Sequence, residues 1–219
     1  MKIIDLSGPI ATGMWSYGAP LPPVAVRLAA TLERDGWNGH ALSLHTLAGT
    51  YIEAADHLLP NRETVGDLPL DRFITRAVVA QLPDKAPLEP VTARELEAAV
   101  PDDPSGAALL VATGWDAMWG RPGFVERCPF FLPEAMTWVV ERGVRLLALD
   151  VPCVQDPRHD DGALNRLYFA EDRLLLAPVV NLRQAGSDPQ TLVALPLNIP
   201  GVCGTPVRAV LVEGAAWND

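Results

Sequence analysis

Residues 48–57 read AGTYIEAADH and gather a phenol, two carboxyl groups and an imidazole in a chain that is otherwise apolar and proline-rich. A strand running through this stretch places Tyr51 and Glu53 on one side, because side chains alternate along a strand. A turn after the strand would bring His57 within reach of both. Such a group could perform general acid–base catalysis, could supply ligands to a divalent metal, or could be only a polar turn between core elements.

The composition predicts an ordinary globular protein with a sizeable core. Hydrophobic residues make up 49% of the 219 positions and charged residues 20%. The net charge of −10 and the scattered basic residues exclude a nucleic-acid surface, since phosphate contacts need clustered Lys and Arg. No apolar run reaches the roughly 20 residues of a membrane helix. An Asp at the fifth position interrupts any signal peptide, so we expect a cytoplasmic protein.

The cysteines predict neither a disulfide framework nor a zinc knuckle. Cys128, Cys153 and Cys203 are an odd number, lie far apart and include no C-x-x-C pair. We expect all of them to be reduced thiols.

Short apolar runs between Pro and Gly breaks predict a strand-rich domain. The 21 prolines and 17 glycines leave little room for a helical bundle. Strands are predicted over residues 3–6, 24–32, 40–49, 77–82, 108–115, 144–151, 174–182 and 209–214. Residues 108–114 and 145–151 are almost wholly apolar, which is typical of strands buried on both faces.

Helices are fewer. Thr92 and Glu95 form a capping box that opens a helix reaching about Val100. A second helix is predicted over residues 133–142, with Pro in its first turn and Gly143 past its end, and a third over 163–170. No repeat and no polar linker is evident, so the sequence predicts one mixed α/β domain over residues 1–219.

Residues 47–57 resemble H-x-G-T-H-x-D-x-P-x-H, the motif of a cyclase family that includes bacterial kynurenine formamidase and isatin hydrolase. Further segments resemble that family in the same order, namely KIIDLSGPIATGM (2–14), LLALDVPCVQD (146–156), LLLAPVVNL (174–182) and GTPVRAVLV (204–212). The resemblance implies a mixed β-sheet or barrel-like core flanked by helices. It also implies a homodimer or homotetramer.

The chain departs from the family where the family binds its metal. The resemblance places ligands at five positions, which here carry Leu47, Tyr51, Glu53, Asn165 and Ala177. Leu and Ala cannot donate to a metal, and Tyr and Asn are poor zinc ligands. We therefore expect no metal and no other cofactor. His57 still occupies the position of the family's proton shuttle.

Without a metal, water is a poor nucleophile, and plain amide hydrolysis becomes the least favoured activity. We predict a metal-independent enzyme that acts on a small organic metabolite by acid–base chemistry, through cyclisation, dehydration or hydrolysis. Glu53 and His57 are the predicted base and acid, with burial raising the pKa of Glu53, and Tyr51 is a predicted donor to a developing enolate. The predicted substrate contacts are Trp15, Tyr17 and Asn165, with Trp115 and Trp119 as possible walls of the same cavity. No nucleic-acid or membrane partner is expected.

Two alternatives remain open at this point. One is a metal-dependent amide or lactone hydrolase whose site is rebuilt from His45, Glu53 and His57. The other is a catalytically inactive binding or scaffold homologue, in which Tyr51 only fills the space of the metal. Cys153 replaces a Ser of the family, but no base is visible near it in the sequence, so a nucleophilic role is not favoured.

Overall fold

The computed structural model describes residues 1–186 and 189–214. Its strands are β1 (Lys2–Asp5), β2 (Ala25–Ala30), β3 (Gly39–Ser43), β4 (Tyr51–Glu53), β5 (Ile74–Gln81), β6 (Pro90–Val91), β7 (Ala108–Ala112), β8 (Phe130–Phe131), β9 (Leu146–Leu149), β10 (Leu174–Ala177), β11 (Gln190–Val193), β12 (Gly204–Pro206) and β13 (Val210–Glu213). Its α-helices are α1 (Leu32–Asp35), α2 (Ala93–Ala99), α3 (Pro133–Glu141) and α4 (Ala163–Phe169).

Nine strands form one curled mixed sheet in the order β1-β13-β11-β5-β7-β9-β10-β4-β12. The central strands β5, β7, β9 and β10 are parallel. The strands on both flanks pair antiparallel, β11, β13 and β1 on one side and β4 and β12 on the other. The predicted α/β class with a mixed, barrel-like sheet is confirmed. β4, which carries the motif, lies near one edge.

The middle of the sheet is buried on both faces, as predicted. Every residue of β7, β9 and β10 is buried. Leu109 and Leu147 face the side that α2, α3 and α4 cover. Leu110 and Ala148 face a second apolar cluster on the opposite side. Parallel strands covered on both faces need continuous apolar runs, which is why the alternation of surface strands is absent here.

The three predicted helices are present within about one residue of their expected ends. The hydroxyl of Thr92 accepts from the N–H of Glu95 at 3.2 Å, and the Glu95 carboxylate accepts from the N–H of Thr92 at 2.9 Å. Pro133 opens α3, and Gly143 follows it with a φ of +66°. None of the described helices is long and apolar enough to span a membrane.

The prediction of one strand over residues 40–49 is wrong. β3 ends at Ser43 and pairs with β2 in a separate two-stranded sheet. Gly49 adopts a φ of +73°, a value that interrupts a strand, and the chain resumes as β4 only at Tyr51. His45 and Leu47 therefore lie in a turn and do not alternate along a strand. The hydrophobic pattern alone does not reveal this break.

Asp150, directly after β9, ties the ends of two central strands together. Its carboxylate accepts from the N–H of Thr113 at 2.7 Å, from the Thr113 hydroxyl at 2.7 Å and from the N–H of Gly114 at 2.8 Å. Burial raises the pKa of Asp150 to about 7, so the ionised carboxylate costs stability increasingly as the pH rises toward that value. At about pH 5, where this cost is small, Asp150→Ala leaves three donors without their acceptor and is expected to lower the free energy of unfolding by about 3 kcal/mol. Urea denaturation measures this. The control is Asp102→Ala at an exposed position, and equal stability of the two variants would contradict the expectation.

Candidate active site

β4 brings the motif's polar side chains into the sheet between β10 and β12. Glu53 is in register with Leu175 on one side and with Gly204 on the other. A Cβ at position 204 would lie 2.8 Å from the carbonyl oxygen of Ile52 and 3.2 Å from the Cγ of Glu53. Glycine is therefore required for β12 to approach β4 this closely. The predicted alternation is confirmed, since Tyr51 and Glu53 line the same cavity.

A 3₁₀ turn over Ala55–His57 folds His57 back over the strand. The N–H of His57 donates to the carbonyl oxygen of Ala54 at 3.1 Å. The Nε2 atom of His57 then lies 3.5 Å from Oε1 of Glu53. This distance exceeds that of a direct hydrogen bond but leaves the two groups in contact, so that a small movement allows a proton to pass between them.

Burial leaves the Glu53–His57 pair uncharged near neutral pH. Glu53 is 3% exposed, and burial, with a smaller contribution from Asp56, raises its pKa to about 8. Burial also lowers the pKa of His57, although Asp160 acts in the opposite direction. A protonated carboxyl group therefore lies beside a neutral imidazole, so Glu53 would act as the acid and His57 as the base, the reverse of the predicted assignment. Such a pair holds one acid and one base in the protonation states that proton transfer needs.

Two phenols close another wall of the cavity. The Tyr17 hydroxyl donates to the carbonyl oxygen of Pro152 at 2.9 Å, and it lies 2.7 Å from the Tyr51 hydroxyl. Because a hydroxyl has one proton, Tyr51 must donate to Tyr17 in this arrangement. The Tyr51 oxygen is then free only as an acceptor. Its predicted role as a donor to an enolate would require this hydrogen-bonded chain to rearrange.

The cavity has a volume of about 200 Å³, below the 300–1,000 Å³ of sites for drug-sized ligands. Five of the six predicted site residues line it, namely Tyr17, Tyr51, Glu53, His57 and Asn165. It is also lined by residues that the sequence did not assign to the site, among them Leu21, Pro152, Cys153, Val154, Asp160 and Leu175. Asp160 and Leu175 carry no local pattern that indicates a site. Asp160 reaches the cavity from the loop before α4, and Leu175 reaches it from β10.

Trp15 is placed elsewhere. Its ring packs edge-on against Tyr17 and Trp119, at 5.4 Å in each case, and lies 5.2 Å from Phe124. It lines a separate cavity of about 470 Å³ together with Trp119. Trp115 is buried and donates to the carbonyl oxygen of Phe124 at 2.9 Å. The proline-rich early loop thus contributes Tyr17 to the small cavity, whereas Trp15 supports Tyr17 from behind.

The five positions that the resemblance assigns to metal ligands come together in space. Leu47, Tyr51, Glu53 and Asn165 line the cavity, and Ala177 is in register with Tyr51. The donors at these positions do not fit a metal ion, since only Glu53 carries a strong ligand. Among the described residues, no group of three or more His, Cys, Asp or Glu side chains is arranged to hold one.

His45 does not complete a rebuilt metal site. Its side chain is 9% exposed and does not line the cavity that contains Glu53 and His57. Burial lowers its pKa. The set of His45, Glu53 and His57 that the sequence left open is therefore not assembled in the described part of the chain.

Comparisons with known proteins agree with this architecture. A family model described as "Putative cyclase" matches residues 4–156. Kynurenine formamidase from Bacillus cereus is 30% identical over 210 residues, which cover 95% of this chain and 96% of that protein. Isatin hydrolase A from Ralstonia solanacearum superposes with a TM-score of 0.81 at 19% identity, covering 96% of this chain and 91% of its own. A predicted metal-dependent hydrolase from Bacillus stearothermophilus superposes with a TM-score of 0.77 at 18% identity. The match covers 96% of this chain and 97% of that one.

Proposed function

The chain belongs to the cyclase family, and from this premise we propose that it is an enzyme that transforms a small organic metabolite by metal-independent acid–base chemistry. The reaction is a cyclisation, a dehydration or a hydrolysis. The observation that carries the proposal is the contact of Glu53 with His57 at 3.5 Å on the wall of a small cavity.

The two groups divide the proton transfers between them. The protonated carboxyl group of Glu53 donates to the substrate oxygen on which charge develops, or to a departing hydroxyl or amine. The neutral Nε2 of His57 accepts a proton from a substrate C–H or from water. The pair then exists as a carboxylate and an imidazolium, and one proton passing between Nε2 and Oε1 restores the starting state. Proton transfer by positioned groups contributes about 10²–10⁴-fold to a rate.

Other cavity residues orient the substrate. The Tyr51 oxygen accepts a hydrogen bond, because its own proton is committed to Tyr17. The amide of Asn165, which also lines the cavity, can both donate and accept. Leu47 and Leu175 supply apolar walls. This mixture of apolar walls and a few fixed polar groups is typical of small-molecule sites.

Metal independence is tested by assay with and without a chelator. Protein purified without chelator is expected to hold well under one equivalent of metal, on the order of a tenth or less, since no group of three or more His, Cys, Asp or Glu side chains among the described residues is arranged to hold an ion. Activity towards a panel of formamides, lactams and lactones should be unchanged by a chelator and by added Zn²⁺ or Mn²⁺. Near-stoichiometric metal, with activity lost on chelation, would overturn the proposal.

The cavity favours a substrate without a negative charge. Its lining includes the carboxyl groups of Glu53 and Asp160 and contains no Lys or Arg among the described residues. The basic residues nearby are occupied elsewhere: Arg158 pairs with Asp156, and Arg166 donates to the carbonyl oxygen of Asp161. A bound carboxylate would lose its hydration without gaining a cationic partner.

An aromatic formamide carrying a methyl ester is therefore expected to bind at least about tenfold more tightly than the same compound with a free carboxylate. Calorimetric titration of both compounds measures the difference. Asp160→Asn should reduce this difference in affinity because it removes one negative charge from the cavity wall, whereas Asp71→Asn, at an exposed position outside the cavity, serves as the control. Tighter binding of the free acid would contradict the expectation.

A further inference from the structure

The imidazole of His57 has a second neighbour, on the side of the ring away from Glu53. The Sγ atom of Cys203 lies 3.5 Å from Nδ1 of His57, within the range of hydrogen bonds that involve sulfur. The opposite nitrogen, Nε2, lies 3.5 Å from Glu53. The ring is thus held between a thiol and a carboxyl group, and each of its two nitrogens has one neighbour.

The backbone fixes this thiol relative to the ring. The N–H of Ala54 donates to the carbonyl oxygen of Cys203 at 2.9 Å, and Gly204, the next residue, is in register with Glu53. His57 is tied to the same segment, because its own N–H donates to the carbonyl oxygen of Ala54. The backbone positions of Glu53, His57 and Cys203 are therefore all set by one short β4–β12 junction.

A neutral imidazole has one donor and one acceptor, so its two neighbours decide which nitrogen carries the proton. The buried carboxyl group of Glu53 has no Lys or Arg partner among the described ion pairs, only His57. The Nε2–Oε1 distance of 3.5 Å is longer than a hydrogen bond, but this carboxyl group is the acid nearest to Nε2 and a stronger donor than a thiol, and a small movement directs its O–H to that nitrogen. The ring proton then resides on Nδ1, and Cys203 Sγ is the atom that accepts from it.

A nucleophilic role fits Cys203 less well. Its side chain does not line the cavity that contains Glu53 and His57. Burial, with contributions from Glu53 and Asp56, raises the pKa of the Cys203 thiol to about 11. The reactive form of a cysteine is the thiolate, and this thiol remains protonated at neutral pH.

We propose that Cys203 is a positioning residue that accepts from Nδ1–H of His57, fixes the orientation of the ring and presents an unprotonated Nε2 to Glu53 and the cavity. Part of the inference rests on the proposed function, since its kinetic consequence requires a reaction at Nε2. The arrangement of protons does not depend on any substrate. It can therefore be tested on the resting protein.

The direct test is nitrogen-15 NMR of the histidine rings in the wild-type protein. The chain has four His, and the resonances of His57 are identified by their disappearance in His57→Gln. We expect a protonated Nδ1 and an unprotonated Nε2 in the wild-type protein, and averaged ring resonances in Cys203→Ala, because the ring then exchanges between tautomers. Cys128→Ala removes a buried thiol elsewhere and should leave the His57 signals in place. A wild-type ring protonated on Nε2, or unchanged signals in Cys203→Ala, would overturn the proposal.

Kinetics separate positioning from nucleophilic attack. Cys203→Ala is expected to lower kcat about tenfold with little change in KM, because it removes one hydrogen bond that orients the imidazole ring. Cys203→Ser keeps an acceptor at this position and should retain most of the activity. Loss of activity in both variants by about a hundredfold or more, with a covalent adduct on Cys203 in mass spectra, would show a nucleophile and refute positioning. If the wild-type protein has no turnover, the proposed function fails, while the NMR test still decides the role of Cys203.

Discussion

His57→Gln is expected to lower kcat by about 10²–10⁴-fold, because it removes the only imidazole on the cavity wall among the described residues. Glutamine keeps most of the volume and a hydrogen-bonding group but cannot exchange a proton near neutral pH. The measurement is steady-state turnover of a formamide, lactam or lactone that the wild-type protein accepts. His159→Gln, at an exposed loop position, is the matched control and should retain full activity.

The pH dependence of the wild-type enzyme distinguishes catalysis from a structural role of His57. The acid form of Glu53 persists up to its raised pKa of about 8, and the base form of His57 exists above its lowered pKa. Activity should therefore fall as the pH rises through about 8, because Glu53 loses the proton that it donates. On the acid side, activity should be lost only below the usual range of histidine. Full activity in His57→Gln would contradict the proposal, and wild-type inactivity on every substrate would favour a binding protein.

Glu53→Gln is expected to stabilise the fold by an amount that grows with pH. A carboxyl group in the unfolded chain ionises near its ordinary pKa of about 4.3, whereas burial holds the pKa of Glu53 at about 8 in the folded protein. Between these values the folded state binds more protons than the unfolded state, so stability falls as the pH rises. The cost is about 1.4 kcal/mol per pH unit and reaches an upper limit of about 5 kcal/mol above pH 8. The glutamine side chain does not ionise, so Glu53→Gln avoids this cost.

Urea denaturation of both proteins at about pH 5 and about pH 8.5 measures this difference. Glu63→Gln, at an exposed position, is the control. Its free energy of unfolding relative to the wild-type protein should not increase comparably with pH. A Glu53→Gln difference that stays constant across this range would contradict the expectation. If the stability rises while activity is lost, the native carboxyl group is retained for function at the expense of stability, a pattern that is typical of active sites.

Cellular location and oligomeric state remain predictions from the sequence. Size-exclusion chromatography with light scattering distinguishes a monomer from the homodimer or homotetramer that the family resemblance implies.

Much of the site follows from local rules. Alternation along a strand placed Tyr51 and Glu53 on one side, and the turn after it brought back His57. The apolar runs at 108–114 and 145–151 indicated the buried strands at the centre of the sheet. These features depend on backbone geometry and on the exclusion of apolar side chains from water, and both act within a few residues of sequence.

Tertiary structure decided the rest, because contacts between distant segments depend on register and packing that no local pattern records. The pairing of β12 with β4 brings Cys203 to His57 across an interval of 146 positions. The break at Gly49 removed His45 from the strand in which the sequence had placed it. Trp15 packs on Trp119, whereas its neighbour Tyr17 reaches the cavity. Local patterns predicted the α/β class and the proximity of Glu53 and His57, whereas the packing of distant segments fixed which side chains surround these two residues.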